Sequence, residues 1–590
     1  MLLRWHVLSS CLFIIWFYPG NTTCPSDCNC RVDDRGKRRV TCNKGGMIDP
    51  IPTYNMDPAM EVLDISAPDN DWNIFTVGSI FQDFKRLEEI HITRSNIIQI
   101  GMHAFWGVPS VRLLNMTYNN LTVVFDHNFR GLVNLVQLNL DDNAINRLPS
   151  GAFKHLSELR ILTVQRNYIS DLVPRLFLKL SKLQVLKMSG NPLQELDPEV
   201  FKDIPELRVL ECRNCQLRRI NTQIYHLLPY LAHLDLGDNR MQFLDPEEFI
   251  DLHRLKSLYL DGNQLPVVLE RTFINQVHLR TLCLARNRLA KITDTALLNL
   301  SNLIDLDISY NKLSKFENVI LYPVVNSLQK LSISGNYFSM SVVKLIIQTL
   351  HKIRDLQIAD LKLNEIPLGF LPVNMLRLNV SGNNISNLSA HALPNQLILL
   401  DISRNRLQDL SEGVLLKLEA TQEVHLYNNT WSCHICHAAK LIMWLNKTNN
   451  TQNLFCASPE KLKGRLINTL TLDSLPSCDK KINKPNFMTK VKNNIGLVIG
   501  GITTVVFLIA CITFVVCSCV RRHQNTRSRH KEKRRSRTEV VEEGSAIFGS
   551  KGEISFKFGL DLTERQVSVS TIDTMKKETQ LHTLPNGTGI

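Results

Sequence analysis

No His-Glu-x-x-His, no Gly-x-Ser-x-Gly and no Gly-x-x-x-x-Gly-Lys-Ser/Thr occurs in the 590 residues. The chain therefore offers no zinc-protease helix, no nucleophile elbow and no phosphate-binding loop, and enzymatic activity is not expected. Arg521–Ile590 contains no tyrosine, which excludes phosphotyrosine signalling through that segment. A large excess of one charge is also missing. Of the formal +13, Arg521–Ile590 contributes 14 Lys and Arg against nine Asp and Glu, and the remaining +8 is spread over more than 500 residues. Nothing here calls for nucleic acid as a partner. Hydrophobic residues at 44% and charged residues at 21% exclude disorder over most of the length. Finally, Ile495–Val520 runs for 26 residues without a Lys, Arg, Asp or Glu.

That last absence sets the topology. About 20 apolar residues cross a bilayer core, and Arg521, Arg522, Arg527, Arg529, Lys531, Lys533, Arg534, Arg535 and Arg537 follow. Positive charge stays on the cytoplasmic side, so the N-terminal part is expected outside the cell, in a single-pass type I plasma-membrane arrangement. At the start, Arg4 precedes an apolar run from Val7 to Tyr18 and then Pro19-Gly20, the pattern of a signal peptide. The intervening chain then passes through an oxidising compartment, where disulfides persist. Cys24, Cys28, Cys30 and Cys42 cluster at one end of it, and Cys433, Cys436, Cys456 and Cys478 at the other. Each group of four allows three pairings. The run Cys433-His434-Ile435-Cys436-His437 could in isolation attach haem or hold a metal. A structural cap with disulfides is favoured, and no cofactor is expected. Cys212 and Cys215 are expected as buried, inert thiols; Cys283 faces outward with no obvious partner.

Self-similarity carries the fold. Asn119, Asn143, Asn167, Asn191, Cys215, Asn239, Asn263, Asn287 and Asn311 recur every 24 residues. Each closes a segment of the form L-x-x-L-x-L-x-x-N/C, as in Leu135, Leu138, Leu140 and Asn143. Six residues ahead of the first leucine stands a ring: Phe105, Phe129, Phe153, Phe177, Phe201, Tyr225, Phe249 and Phe273. One unit cannot bury such an apolar set alone, so units must stack. The expected fold is an α/β repeat solenoid, a leucine-rich-repeat horseshoe with a parallel concave β-sheet. Disulfide caps, one transmembrane helix and a mostly disordered tail complete it. Later ladder positions are Asn336, Leu361, Asn383, Asn405 and Asn429, at spacings of 25, 25, 22, 22 and 24. Leu361 cannot hydrogen-bond a turn with its side chain, and a local change of curvature is expected over 336–383.

These motifs resemble the extracellular leucine-rich-repeat family of Slit, Toll and neuronal adhesion receptors, over about Cys24 to Cys478. Cys24-Pro25, Cys28-x-Cys30 and Val40-Thr41-Cys42 match the family's N-terminal cap. Asn429-Thr430-Trp431-Ser432-Cys433, Trp444-Leu445, Cys456 and Cys478 match its C-terminal cap. Thr430 stands where the family usually has proline, and the first cysteines read C-x-x-C where C-x-C is usual. The resemblance implies the pairs Cys24–Cys30, Cys28–Cys42, Cys433–Cys456 and Cys436–Cys478. In layout the chain is similar to repeat-only receptors of the tartan and capricious type. The expected division is a signal peptide (1–20), an N-terminal cap (21–54), about 15 repeats (55–430) and a C-terminal cap (431–478). A stalk (479–494), a membrane helix (495–520) and a cytoplasmic tail (521–590) follow.

Function is expected from outward-facing residues, since this scaffold presents a rigid array of variable side chains on its concave side. Arg160, Arg166, Lys187, Arg208 and Arg213 read as a basic patch; Asp235, Asp238, Asp261, Asp305 and Asp307 follow as an acidic one. Together they are expected to orient an extracellular protein or glycan ligand. Sequons at Asn21, Asn115, Asn120, Asn299, Asn379, Asn384, Asn387, Asn428, Asn446 and Asn449 are expected glycosylation sites. Glycans on Asn115 and Asn379 would leave roughly 135–335 as the free concave zone. Gly496-x-x-x-Gly500 suits helix–helix approach and a homodimer. Cys517 and Cys519 beside the basic run are lipidation candidates. Thr588-Gly589-Ile590 matches a terminus that adds as a strand to PDZ-domain scaffolds. The leading expectation is a cell-surface recognition or adhesion receptor; the alternative is an auxiliary membrane subunit modulating another receptor or channel.

Overall fold

Leucines in an L-x-L core put every second side chain on one face of a strand, and a repeat that ends in a turn returns the chain to the same face one unit later. The computed structural model describes residues 24–448, 452–478 and 504–522, and it folds the repeats in this way. Strands such as Leu113–Asn115, Gln137–Asn139, Ile161–Thr163, Val185–Lys187 and Val209–Glu211 pair in parallel within an 18-stranded sheet. Register is one repeat per rung: Leu114, Leu138, Leu162, Leu186 and Leu210 are successive partners. Each of these leucines is fully buried, while the residues on either side of it in the strand are mostly half-exposed.

The asparagine column closes the backbone of each turn. Asn143 Oδ1 accepts the N–H of Leu121 at 3.1 Å, in the preceding unit. Its amide donates to Met116 O in that unit at 2.9 Å, and to Leu140 O and Asp141 O in its own at 3.1 Å each. One buried side chain thus satisfies backbone groups of two units, which would otherwise be orphaned away from water. At Leu361 the side-chain donor is missing, yet the ladder continues through the backbone. Asn383 Oδ1 accepts from both Leu361 N (3.1 Å) and Leu363 N (2.9 Å). Parallel register passes from Lys330–Ser332 through Asp355–Gln357 to Arg377–Asn379 without a break. The longer spacing is taken up opposite the sheet, in the ten-residue helix Met340–Thr349.

Behind the sheet the aromatic column forms a spine. Phe81 and Phe105, Phe129 and Phe153, and Tyr225 and Phe249 meet at 5.8 Å between ring centroids, and Phe249 and Phe273 at 5.9 Å. Such contacts add about 0.5–1.5 kcal/mol each beyond area burial.

Both ends are covered. Cys24–Cys30 and Cys28–Cys42 bind the antiparallel pair Asn29–Val32 and Arg38–Cys42, whose second strand starts the parallel ladder against Val62–Ile65. At the other end Cys433–Cys456 and Cys436–Cys478 clamp the helix Ile435–Thr448, with Trp431 and Trp444 buried beneath it. Cys433 and Cys436 are therefore both consumed as disulfides. Cys212 and Cys215 are also joined, where sequence reading takes them as separate thiols. The second leucine slot and the ladder slot both point inward, and their Cα atoms stand 5.6 Å apart. Separately, Thr504–Arg522 forms a 19-residue helix of mean hydropathy 2.3, long and apolar enough to cross a membrane. Cys517 and Cys519 lie on it. The signal segment, Asn21, Asn449, the stalk, Gly496, Gly500 and the tail with Thr588 and Ile590 lie outside the described residues.

Candidate ligand-binding face

The strands offer two outward columns. The first runs Leu113, Gln137, Ile161, Val185 and Val209, all half-buried, so the middle of the concave face opens with an apolar stripe. The second runs Asn115, Asn139, Thr163, Lys187, Glu211, Asp235 and Tyr259. Because the sheet beneath is locked by its ladder, these side chains are held with little freedom left to lose on contact. Lys187 pairs with Glu211 at 2.9 Å, and the His233 ring meets Tyr259 at 5.3 Å.

Beside this stripe lies a charge network that the basic-then-acidic reading of the sequence does not anticipate. Arg213 bonds Asp235 (3.0 Å), Asp238 (2.6 Å) and both oxygens of Asp261 (2.7 and 3.0 Å). Arg286 closes on the same acids, 2.6 Å from Asp261 and 3.3 Å from Asp238. The guanidinium of Arg213 lies against Gly237, where an added Cβ would come within 2.3 Å of its Cζ. Hydrogen bonds donated to Asp261 raise the affinity of Arg213 for its proton. Burial opposes the charge on Asp261, but the bonds from Arg213 outweigh it and hold the carboxyl below its ordinary value. Arg166 is likewise neutralised: its Nε and Nη2 both sit 2.6 Å from Asp142. Asp305 binds Lys330 at 3.1 Å. Of the five expected basic residues, Arg166, Lys187 and Arg213 are thus consumed in pairs. Arg160 and Arg208 stand one residue ahead of their strands, exposed and, among the described residues, without an ionic partner. The five do not converge on one patch.

Further along, a cavity of about 290 Å³ is walled by Cys283, Arg286, Ser334, Asn379 and Arg404. Burial pushes the Cys283 thiol up to about 12, so it is a neutral thiol here and a poor nucleophile. Asn379, a sequon residue, stands at this wall with its Oδ1 accepting Ser381 N at 2.9 Å. Asn115 sits near the other end of the face, its Oδ1 3.1 Å from Thr117 N. Asn120, Asn387, Asn428 and Asn446 are exposed, and Asn384 half-exposed; Asn299 is also exposed, its amide 3.2 Å from Ile274 O.

A larger cavity, about 1090 Å³, is lined by no strand residue; Asp171, Glu195, Arg218, Phe243 and Glu248 are among its walls. Glu248 holds the slot just before the aromatic column, where other units bury Ala152, Leu176, Val200 and Ile224. Burial pushes its carboxyl up to about 7. Neither its Oε1 nor the neighbouring Tyr225 hydroxyl has a hydrogen-bond partner. Among the described residues no group of three His, Cys, Asp or Glu side chains could hold a metal ion.

The stacked units, their asparagine ladder and their cysteine caps define a leucine-rich-repeat protein, and a family model for the leucine-rich repeat matches residues 77–121, 109–169, 157–217, 205–265 and 277–338. The matched segments are leucine-rich repeats, and part of the array is similar to a glycoprotein of that class. Trophoblast glycoprotein of Macaca fascicularis is 33% identical over 106 residues, 17% of this chain and 25% of that protein. The chain thus matches about a quarter of that relative's length. A leucine-rich-repeat protein of Leptospira interrogans superposes with a TM-score of 0.52 at 24% identity, over 63% of this chain and 91% of that one. Mouse RP105, solved with MD-1, gives 0.50 at 20% identity over 73% and 82%. These two likenesses concern the fold.

Proposed function

We propose that the chain is a membrane-anchored cell-surface recognition receptor, and that the concave strands between Asn115 and Asn379 hold an extracellular protein. The observation that carries this reading is the apolar stripe Ile161, Val185 and Val209 lying beside the Arg213 network. A rigid apolar centre rimmed by satisfied charge is the anatomy of an energetic hot spot. A charge network already paired within the face costs less to cover than unpaired charges would. The division into signal segment, caps, repeats, membrane helix and tail belongs to the same reading. So do glycans at the sequons, lipid on Cys517 and Cys519, and a scaffold on the C-terminus.

The test is binding of soluble cell-surface protein domains to cells that display the full chain. A partner should be found whose affinity drops about tenfold or more when Val185→Glu buries an unpaired charge in the contact. Co-purification with one membrane protein of the same cell, with no binding from outside and no effect of Val185→Glu, would instead establish the auxiliary-subunit reading.

A further inference from the structure

Charges on this solenoid sort by column. Several cations on the strands and at the turns that follow them are matched: Lys187 to Glu211, Arg166 to Asp142, Arg213 and Arg286 to Asp261, Lys330 to Asp305, and Arg404 to Asp360. On the opposite flank, the slot after the first leucine holds exposed Arg112, Arg160, Arg208, Lys256 and Arg280, with half-buried Val136, Gln184 and Ala232 in the units between. Among the described residues none of the five cations has a side-chain hydrogen bond or an ionic partner. Backbone bonds lock this flank in register: Val136 N to Arg112 O, Arg160 N to Val136 O, and so on to Arg280 N on Lys256 O, at 2.8–2.9 Å.

The geometry follows from that ladder. Rungs of a sheet are about 4.8 Å apart, so Arg112, Arg160, Arg208 and Lys256, each two rungs from the next, repeat at about 10 Å. Arg280 one rung on extends the row to about 34 Å. The two positions bracketing each first leucine, from Ser110 to Arg280, hold seven Lys and Arg against two Asp and Glu. Of those acids Glu158 is already held by Lys182 at 2.5 Å, leaving Glu206. Arg254 joins the row, its guanidinium 4.5 Å above the Tyr230 ring. No sequon falls between Asn120 and Asn299, so the stretch from Arg160 to Arg280 contains no acceptor for an N-linked glycan.

We infer that this flank, distinct from the concave face, binds a linear sulfated polysaccharide. The ligand must carry anionic groups repeated along one dimension to satisfy cations that repeat along one dimension. Four of the five lead cations are arginines, whose planar fork takes two oxygens of a sulfate at once. A compact anion would engage one rung and leave the others unmatched.

The test uses the full-length chain displayed on cells that lack sulfated glycans, with size-fractionated heparin as the probe. Heparin is expected to bind, with affinity that falls steeply as salt rises. The triple variant Arg160→Glu, Arg208→Glu, Lys256→Glu should lose about tenfold or more. Lys312→Glu, Lys315→Glu, Lys344→Glu makes the same change in net charge at exposed residues elsewhere, and should retain binding. Equal loss in both triples would reduce the effect to bulk charge and overturn the inference. So would equal binding of chemically desulfated heparin, or tighter binding of single-stranded RNA or phosphatidylserine vesicles. Val185→Glu should leave heparin binding intact, which separates this outcome from the fate of the concave-face reading.

Discussion

Arg213 reaches two repeats ahead to Asp261, placing Nη2 2.7 Å and Nη1 3.0 Å from the two carboxylate oxygens. The reach is possible because both residues stand two positions before a ladder residue, Cys215 and Asn263, on the same turn of the solenoid. The intervening unit has Gly237 at that position, which leaves the space the guanidinium crosses. Removing the arginine leaves three acids, one of them buried, facing each other with only Arg286 between them. Arg213→Ala is therefore expected to cost about 2–4 kcal/mol locally. Hydrogen exchange should quicken in the strands Val209–Glu211, His233–Asp235 and Ser257–Tyr259 and stay unchanged at the caps. Gly237→Ala should reproduce part of the effect by displacing the guanidinium.

Glu248 gives a pH dependence of opposite sense to the usual carboxylate. Its folded value of about 7 lies above the ordinary 4.5, with burial as the first cause. The folded protein holds the proton more tightly, so the stability this group contributes is complete below pH 4.5 and is lost as pH rises through 7. Glu248→Gln keeps the shape and removes the titration. The variant should match the parent at pH 4 and exceed it by about 2–3 kcal/mol at pH 8. Local exchange or denaturant midpoints across that range would measure it. A parent with flat stability from pH 4 to 8, unaltered by the substitution, would contradict the burial argument.

What the sequence made legible, and what it did not, divides along a physical line. Leucine, asparagine and phenylalanine columns are forced by packing and backbone satisfaction, so they recur in phase and can be read without coordinates. Arg166 and Asp142 occupy the same slot of adjacent units, so their pairing was also available in principle. The pairing is visible down the columns of the repeat and not along the chain, where Asp142 and Arg166 stand 24 residues apart. The same shift of axis would have separated exposed Arg160 and Arg208 from neutralised Arg213. Glu248 was legible too, as the one acid in a column of buried Ala, Leu, Val and Ile. The two-repeat reach of Arg213 was not, since it depends on a rotamer and on the gap at Gly237. Nor was the join of Cys212 to Cys215: both slots read as inward, but the 5.6 Å between their Cα atoms comes only from the fold.

Glycan placement can be examined directly. Asn115 and Asn379 lie on strands of the concave sheet, half-exposed, whereas Asn120 and Asn299 are exposed at turns. If the free binding zone lies between the two strand sequons, peptide mass mapping of the secreted or surface protein should find sugar on both. Asn115→Gln or Asn379→Gln should then widen the range of proteins that bind without weakening the principal one.

The asparagine ladder supplies the sharpest stability test. Asn167 accepts Ile145 N at 3.0 Å and donates to Leu140 O, Val164 O and Gln165 O at 3.0–3.1 Å. Asn167→Ala removes all four contacts at a site away from water, leaving one N–H and up to three carbonyls short of a partner. A cost of about 2–4 kcal/mol is expected, because unmade buried hydrogen bonds carry their full desolvation penalty. The position of Leu361 shows that one gap in the column is survivable, since there Asn383 takes two backbone N–H groups on a single oxygen. Exchange protection should fall in the units on both sides of residue 167, as expected when each repeat is stabilised mainly by its neighbours. Loss confined to the single turn at 167 would mean that the column decorates the stack without holding it.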